Sequence, residues 1–237
     1  MNGASAIAKW KETEGAAVLF DFGGTLDADG VTWKERFFRL YRNEGVAPAS
    51  EQFDSIFYAV DDALVRSVPP TLSFRDTVLG LAEGVTGALG VPDHALAKRI
   101  ANRFLEEALE RLRHNARLLQ TLSGRYRLGV VSNFYGNLAT VCEEAGIRPF
   151  FAAIVDSGRS GYLKPDPRIF YQAVAALEID ASSAVFVGDS LRRDMAGARA
   201  VGMPHIWLQS PTPQGERPCC PEDGVIHSLD ELTELLL

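Results

Sequence analysis

Three short apolar runs in this sequence end on residues able to do chemistry. The run at 16–20 leads into Asp21 and then Gly23-Gly24-Thr25, the run at 126–131 into Ser132-Asn133, and the run at 184–187 into Gly188-Asp189-Ser190, with Asp194 five residues after Asp189. A fourth run, 151–155, is followed by the loop Gly-Tyr-Leu-Lys-Pro-Asp-Pro, which carries Lys164. One carboxylate in such a place means little, because turns and caps use Asp freely. Two strand-end aspartates, a hydroxyl and a loop lysine in this order form a set, and in open α/β sheets sites gather at the carboxyl ends of the strands. The chemistry open to them is attack on an anion. A carboxylate can approach a phosphate dianion only where the repulsion is cancelled, and a lysine with a divalent ion supplies that positive charge. Lysine is scarce here, only Lys9, Lys11, Lys34, Lys98 and Lys164 being present. Plainer readings stand beside each candidate: Asp21 as a strand-end cap, Ser132 as a βα-turn residue, Lys164 as a solvated loop lysine, Asp194 as a charge complementing a helix dipole.

The elements that must position these residues are strands. Short apolar runs that stop at Gly or Asp read as buried parallel strands, and further runs at 205–208 and near Val225-Ile226 extend the series. Helical patterns at 137–146, 167–177 and 191–201 lie between them, which calls for a parallel sheet with helices on both faces. A closing helix is expected from Ser228, with Ser228 as N-cap and Glu231 completing a capping box. Residues 31–118 break the rhythm and read as consecutive helices at 33–43, 51–66, 74–89 and 93–119, punctuated by Pro69-Pro70 and Gly90-Val91-Pro92. The expected organisation is a core domain of residues 1–30 and 119–237 with a helical cap, 31–118, inserted after the first strand.

Composition narrows the classes. With 24 basic against 31 acidic residues and a net charge of −7, the chain is not expected to bind nucleic acid, whose nonspecific affinity comes from Lys and Arg on phosphates. No apolar stretch reaches the length of a membrane span, and the N-terminal MNGASAIAKWKETEG has no signal-like apolar region, so a cytoplasmic location is expected. Three cysteines, Cys142 and the vicinal Cys219 and Cys220 in the Pro-rich loop 210–223, suggest no disulfide framework. Oligomeric state is left open.

The segments Asp21-Phe-Gly-Gly-Thr-Leu, Val131-Ser132-Asn133, Lys164-Pro-Asp and Gly188-Asp189-Ser-Leu-Arg-Arg-Asp194 resemble, in order, the four motifs of the haloacid dehalogenase superfamily, and the resemblance covers nearly the whole chain from about residue 16. The helical insertion is similar to that family's C1 cap, which usually closes over small substrates. The resemblance implies a Rossmann-like α/β core and an activity on a small phosphorylated metabolite. It implies Asp21 as nucleophile, forming an aspartyl-phosphate. Ser132 would bind the phosphoryl oxygens, helped by Asn133 and the loop residues Gly24 and Thr25, and Lys164 would neutralise phosphate and nucleophile together. Mg²⁺ would be held by Asp21, Asp189 and the carbonyl of Gly23, with Asp194 supporting metal waters or Lys164.

One position departs from the pattern. Phosphatases of the family carry a second aspartate two residues after the nucleophile, as general acid and then base, where this chain has Gly23. Such help is typically worth about 10²–10⁴ in rate, so weakened or leaving-group-selective hydrolysis is expected, with a catalytically silent ligand- or partner-binding protein as the alternative. Asp27 and Asp29 read as turn residues, either of which could instead reach inward. Phosphonate hydrolases use a cap lysine, for which only Lys34 and Lys98 are available; dehalogenases need neither acid nor metal, against which stands the metal-type motif at Asp189 and Asp194. The cap aromatics Trp33, Phe37, Phe38, Tyr41, Phe57 and Tyr58 read as core before pocket, the cap arginines Arg36, Arg39 and Arg42 and the pair Arg192-Arg193 as solvated faces.

Overall fold

The computed structural model describes residues 7–8, 10–46, 48–65, 67–210 and 224–237. Six strands, β1 (Ala17–Phe20), β2 (Arg127–Ser132), β3 (Phe151–Asp156), β4 (Ala184–Gly188), β5 (His205–Leu208) and β6 (Gly224–Ile226), form one sheet in the order β3-β2-β1-β4-β5-β6 with every pairing parallel. The α/β class read from the alternating pattern is the one observed. Chain direction across the sheet reverses at β1, which pairs with β2 on one side and β4 on the other, the type of switch point where α/β sheets open a crevice. Register matters more than order. Phe20 lies opposite both Val130 and Val187, so the three strands end level and their next residues emerge on one edge.

Every residue of β1 is buried, because both faces of the sheet are covered. Val18 and Phe20 enter one hydrophobic cluster and Ala17 and Leu19 the other, the two-residue period of a strand. Helices α1 (Trp33–Asn43), α2 (Ser50–Leu64), α3 (Phe74–Ala88) and α4 (His94–Ser123) follow β1, and their apolar faces join the first cluster. Their starts are set locally: Thr32 and Glu35 form a reciprocal capping box on α1, Ser73 caps α3, and Asp93 accepts from the backbone N–H groups of Ala95 and Leu96 at the head of α4. Helix α4 is 30 residues long and runs without a break through 118–119, so the expected end of the cap falls inside a helix. Its last turns serve the core: Leu118, Leu119 and Leu122 pack in the first cluster and Asn115 Nδ2 donates to Leu26 O at 2.8 Å.

Helices α5 (Leu138–Glu144), α6 (Pro167–Ala176) and α7 (Ala196–Ala200) connect the later strands, and α8 (Glu231–Leu236) closes the chain. Helix α8 starts at Glu231 rather than Ser228. The Glu231 carboxylate accepts from the N–H groups of His227 and Ser228, which makes the anticipated capping box a turn ahead of the helix. Among the described residues no helix is long and apolar enough to cross a membrane. Cys142 is free and buried, which pushes its thiol up to about 12; Cys219 and Cys220 lie outside the described residues.

Candidate active site

At the level edge of β1, β2 and β4 the structure brings together Asp21, Ser132, Lys164, Asp189 and Asp194. Lys164 Nζ lies 2.7 Å from Asp21 Oδ1 and 2.7 Å from Asp194 Oδ1. Asp194 is fully buried beneath the lysine, its second oxygen accepting from Ser190 N–H at 3.0 Å. Asp189 accepts from the Thr25 hydroxyl at 2.8 Å, and Trp207 Nε1 donates to the Asp189 carbonyl at 2.8 Å. Oxygens of Asp21, Asp189 and Asp194 all lie within 4.8 Å of one another. Three carboxylates against one ammonium leave two negative charges in surplus, and oxygen donors with that surplus suit a hard divalent ion. The crowding shows in proton affinity. Burial and then repulsion from Asp194 and Asp21 push Asp189 well above the usual carboxylate range. Burial, opposed by Lys164, takes Asp194 up to about 6. Burial alone would lower Lys164, but Asp194 and Asp21 outweigh it and the ammonium is held above its ordinary value.

The loops are tied so that these groups face one another. Asn133 clamps the Lys164 backbone on both sides, accepting from Lys164 N–H at 2.7 Å and donating to its carbonyl at 3.2 Å. Asp156, at the end of β3, accepts from the N–H groups of Gly136, Leu138 and Gly158, and the Ser157 hydroxyl bridges the N–H and carbonyl of Phe134. The loop after Ser132 is thereby held from beneath. Asn133 thus anchors the lysine loop through its side chain. Gly24 and Thr25 also differ from expectation. Gly24 N–H donates to Asp27 Oδ1 at 2.7 Å and the Thr25 hydroxyl is spent on Asp189, so these groups brace the carboxylates and are not turned toward a phosphate. Gly24 is required by space and backbone alike: φ is +87°, and a Cβ would lie 2.7 Å from Asp189 Oδ2.

Gly23 has an ordinary φ of −73°, but a side chain there would press on a neighbour. A Cβ there would lie 3.2 Å from Trp33 Nε1. The indole packs against Phe74, Phe104, Phe134 and Tyr135 and donates to Asp27 Oδ2 at 2.7 Å. Asp27 is itself buried and also binds Arg36 Nη1 at 2.7 Å, so it faces away from the cavity as a structural anion; burial raises its pKa despite Arg36. Asp29 pairs with Arg111 at 2.8 Å. Neither reaches the place of the absent acid.

A cavity of about 470 Å³ lies above this cluster, between the sheet edge and the cap. Asp21, Gly23, Ser132, Asn133, Lys164 and Asp189 line its core side. Trp33, Phe57 and Tyr58 line the cap side, whereas Phe37 and Tyr41 are core, as is the bulk of Phe57. Arg192 and Arg193 are exposed yet border the cavity, where a solvated face was expected. Arg36 is consumed by Asp27 and by Phe104, whose carbonyl it meets at 3.0 Å, and Arg39 by Glu107 at 2.6 Å. Lys34 borders the cavity but is paired with Asp54 at 3.0 Å, and Lys98 is exposed on α4. Residues not anticipated also line the cavity, among them Asp61 on α2 and Tyr135 after β2, and the Tyr135 hydroxyl donates to Asp61 Oδ1.

A parallel sheet with helices on both faces, carrying aspartates at the ends of β1 and β4, a serine at the end of β2 and a lysine in the loop after β3, defines a hydrolase of the α/β type. Residues 16–202 match the family model of the haloacid dehalogenase-like hydrolases, and the chain belongs to that family. It is 32% identical to haloacid dehalogenase-like hydrolase domain-containing protein 3 of Danio rerio over 91% of this chain and 93% of that protein. The Bos taurus protein of the same name is 36% identical over 46% of this chain, and that match spans 45% of its length. Phosphoglycolate phosphatase of Caulobacter vibrioides is 30% identical over 92% of this chain and 89% of its own. Among solved structures, the magnesium-bound HAD-hydrolase YfnB of Bacillus subtilis shares the fold at a TM-score of 0.58 and 22% identity, covering 94% of this chain and 99% of that one.

Proposed function

We propose that the protein hydrolyses a small phosphorylated metabolite through an aspartyl-phosphate on Asp21, with Mg²⁺ as cofactor. One observation carries the reading: Lys164 Nζ sits between Asp21 and Asp194 at 2.7 Å from each, with Asp189 beside them and Ser132 on the same cavity wall. Phosphatase-named relatives support the phosphoester as substrate class.

Asp21 Oδ attacks phosphorus from below while Ser132 and Lys164 hold the phosphoryl oxygens, the lysine cancelling charge on nucleophile and phosphate at once. Asp21, Asp189 and the Gly23 carbonyl would hold Mg²⁺, which when bound supplies charge neutralisation and orientation. Asp194 acts on Lys164, keeping the ammonium charged and aimed. No side chain at position 23 moves a proton, so a leaving group either departs without one or takes it from another group in the cavity. A glycine at position 23 with Trp33 close against it favours a second reading, a silent member that binds a phosphorylated ligand without turning it over.

Steady-state assays of aryl, acyl and alkyl phosphates with Mg²⁺ separate the two. The first reading expects turnover that Asp21→Asn abolishes. Ligand binding by calorimetry with no product under any condition leaves the second.

A further inference from the structure

The missing acid leaves a question of where the leaving group's proton comes from. Four carboxyl groups line the cavity: Asp21, Glu35, Asp61 and Asp189. Asp21 is bound to Lys164, Asp189 to Thr25, and Glu35 is spent in the capping box, accepting from Thr32 N–H at 3.0 Å and from the Thr32 hydroxyl at 2.8 Å. Asp61 alone belongs to neither the charge cluster nor a helix cap. It comes from α2, one helical turn after the cavity-lining Phe57, and shares the cavity with Asp21 and Ser132; in an in-line displacement the departing group leaves on the side of phosphorus away from Asp21. Its partner, the Tyr135 hydroxyl, comes from the core loop three residues after Ser132, so the carboxyl is held over the site from both domains.

On the reading that Asp21 is phosphorylated, we infer that Asp61, oriented by Tyr135, is the proton-transfer residue that this chain uses in place of a side chain at position 23. As the Asp21 Oδ–P bond forms and the P–O bond to the leaving group breaks, the protonated Asp61 carboxyl passes its proton to the departing oxygen. The resulting carboxylate then takes a proton from the water that attacks phosphorus, the P–O bond to Asp21 breaks, and phosphate leaves with Asp21 and the protonated Asp61 restored. The environment suits the first half. Burial raises Asp61, with Asp62 adding to the rise and the Tyr135 hydrogen bond and Arg193 opposing it. Asp62 lies on its own helix, Tyr135 comes from the loop after β2 and Arg193 from the turn after β4, and Lys34, Glu35 and Arg192 line the same cavity. Tyr135 itself is held well above its ordinary value by burial and by Asp61, so the phenol stays a donor.

The test compares leaving groups. In Asp61→Asn, turnover of an alkyl phosphate such as glycerol phosphate falls by about 10²-fold or more, the usual weight of general acid–base help, while the burst of p-nitrophenol from p-nitrophenyl phosphate, whose leaving group needs no proton, keeps its rate. Asp61→Glu retains a carboxyl and recovers part of the alkyl activity. Tyr135→Phe removes an interaction that lowers Asp61 and moves the alkaline limb of the alkyl pH profile upward; a mere cap tether would leave that limb in place. Melting curves confirm that each variant is folded. Wild-type turnover with a loss in the p-nitrophenol burst rate equal to the loss on the alkyl phosphate in Asp61→Asn, or with no loss on either, overturns the role of Asp61 and leaves Asp21 untouched. Absence of wild-type turnover on every phosphate, unchanged by Asp21→Asn, overturns the underlying reading and this role with it.

Discussion

Installing the family's second aspartate, Gly23→Asp, should not simply restore a phosphatase. Backbone geometry at Gly23 is compatible with any residue, so sterics decide. The new Cβ would lie 3.2 Å from Trp33 Nε1 and 3.4 Å from its Cδ1, so the indole has to give by a few tenths of an ångström. Retreat is blocked. The indole centroid stands 4.9 Å from Phe104, 5.7 Å from Phe134 and 6.1 Å from Phe74, and Nε1 is tied to Asp27 at 2.7 Å. Overpacking of this kind costs about 1–3 kcal/mol. For a chain of this size each kcal/mol shifts Tm by about 2–4 °C, so a fall of roughly 2–12 °C is expected. Calorimetric melting of Gly23→Asp, Trp33→Phe and the double variant measures it, and the double variant should recover a coupling of about 0.5–3 kcal/mol, as contacting residues do. A Gly23→Asp protein that melts at or above wild type, or a cycle that closes additively, would refute the claim that a side chain at position 23 presses on Trp33.

Three further outcomes follow from the same contacts. Arg36→Met strands the buried Asp27 carboxylate and should cost about 3–5 kcal/mol, read from urea unfolding at neutral pH. Asn133→Ala removes both of its bonds to the Lys164 backbone and should lower kcat more than its modest stability loss of about 1 kcal/mol would suggest, as seen by pairing rates with melts. Asp194 sits at about 6 when folded and Asp189 is raised as well, against 3.8 unfolded. Between those values the folded protein without metal binds more protons than the unfolded chain, so its stability falls as pH rises through that window. Mg²⁺ has to displace those protons, and the rise in Tm on adding it should therefore be small at pH 5 and grow toward neutrality.

Much of this arrangement was legible in the chain. Runs such as 16–20 and 184–187, stopped by Asp or Gly, read as buried strands, and a polar residue closing a run marks the sheet edge, which is why Asp21, Ser132 and Asp189 were legible as neighbours, with Lys164 following in the loop after the run 151–155. Helix α1 begins and ends where its pattern predicted. What was hidden depends on contacts between distant segments. Asp61 lies on a helix whose neighbouring Asp62 is equally acidic, and only the docking of α2 over the loop after β2 distinguishes them. Trp33 read as a core aromatic because periodicity gives a face and not what that face meets. Asp27 looked like a turn residue, and its burial against Arg36 depends on α1 folding back over the loop after β1. The end of the cap was placed where the helical pattern of 93–119 was read to stop although α4 continues to Ser123, since periodicity carries no sign of which half packs on which domain.

The central claim is that Asp21 becomes phosphorylated while Lys164 holds it in place. Rapid quench of the protein with Mg²⁺ and an acyl or aryl phosphate, followed by peptide mass spectrometry, tests it most directly. A phosphoryl adduct on Asp21, lost in Asp21→Asn and strongly reduced in Lys164→Met, is the predicted result. Product release with no adduct on Asp21 at any quench time, or an adduct on another residue, would contradict it.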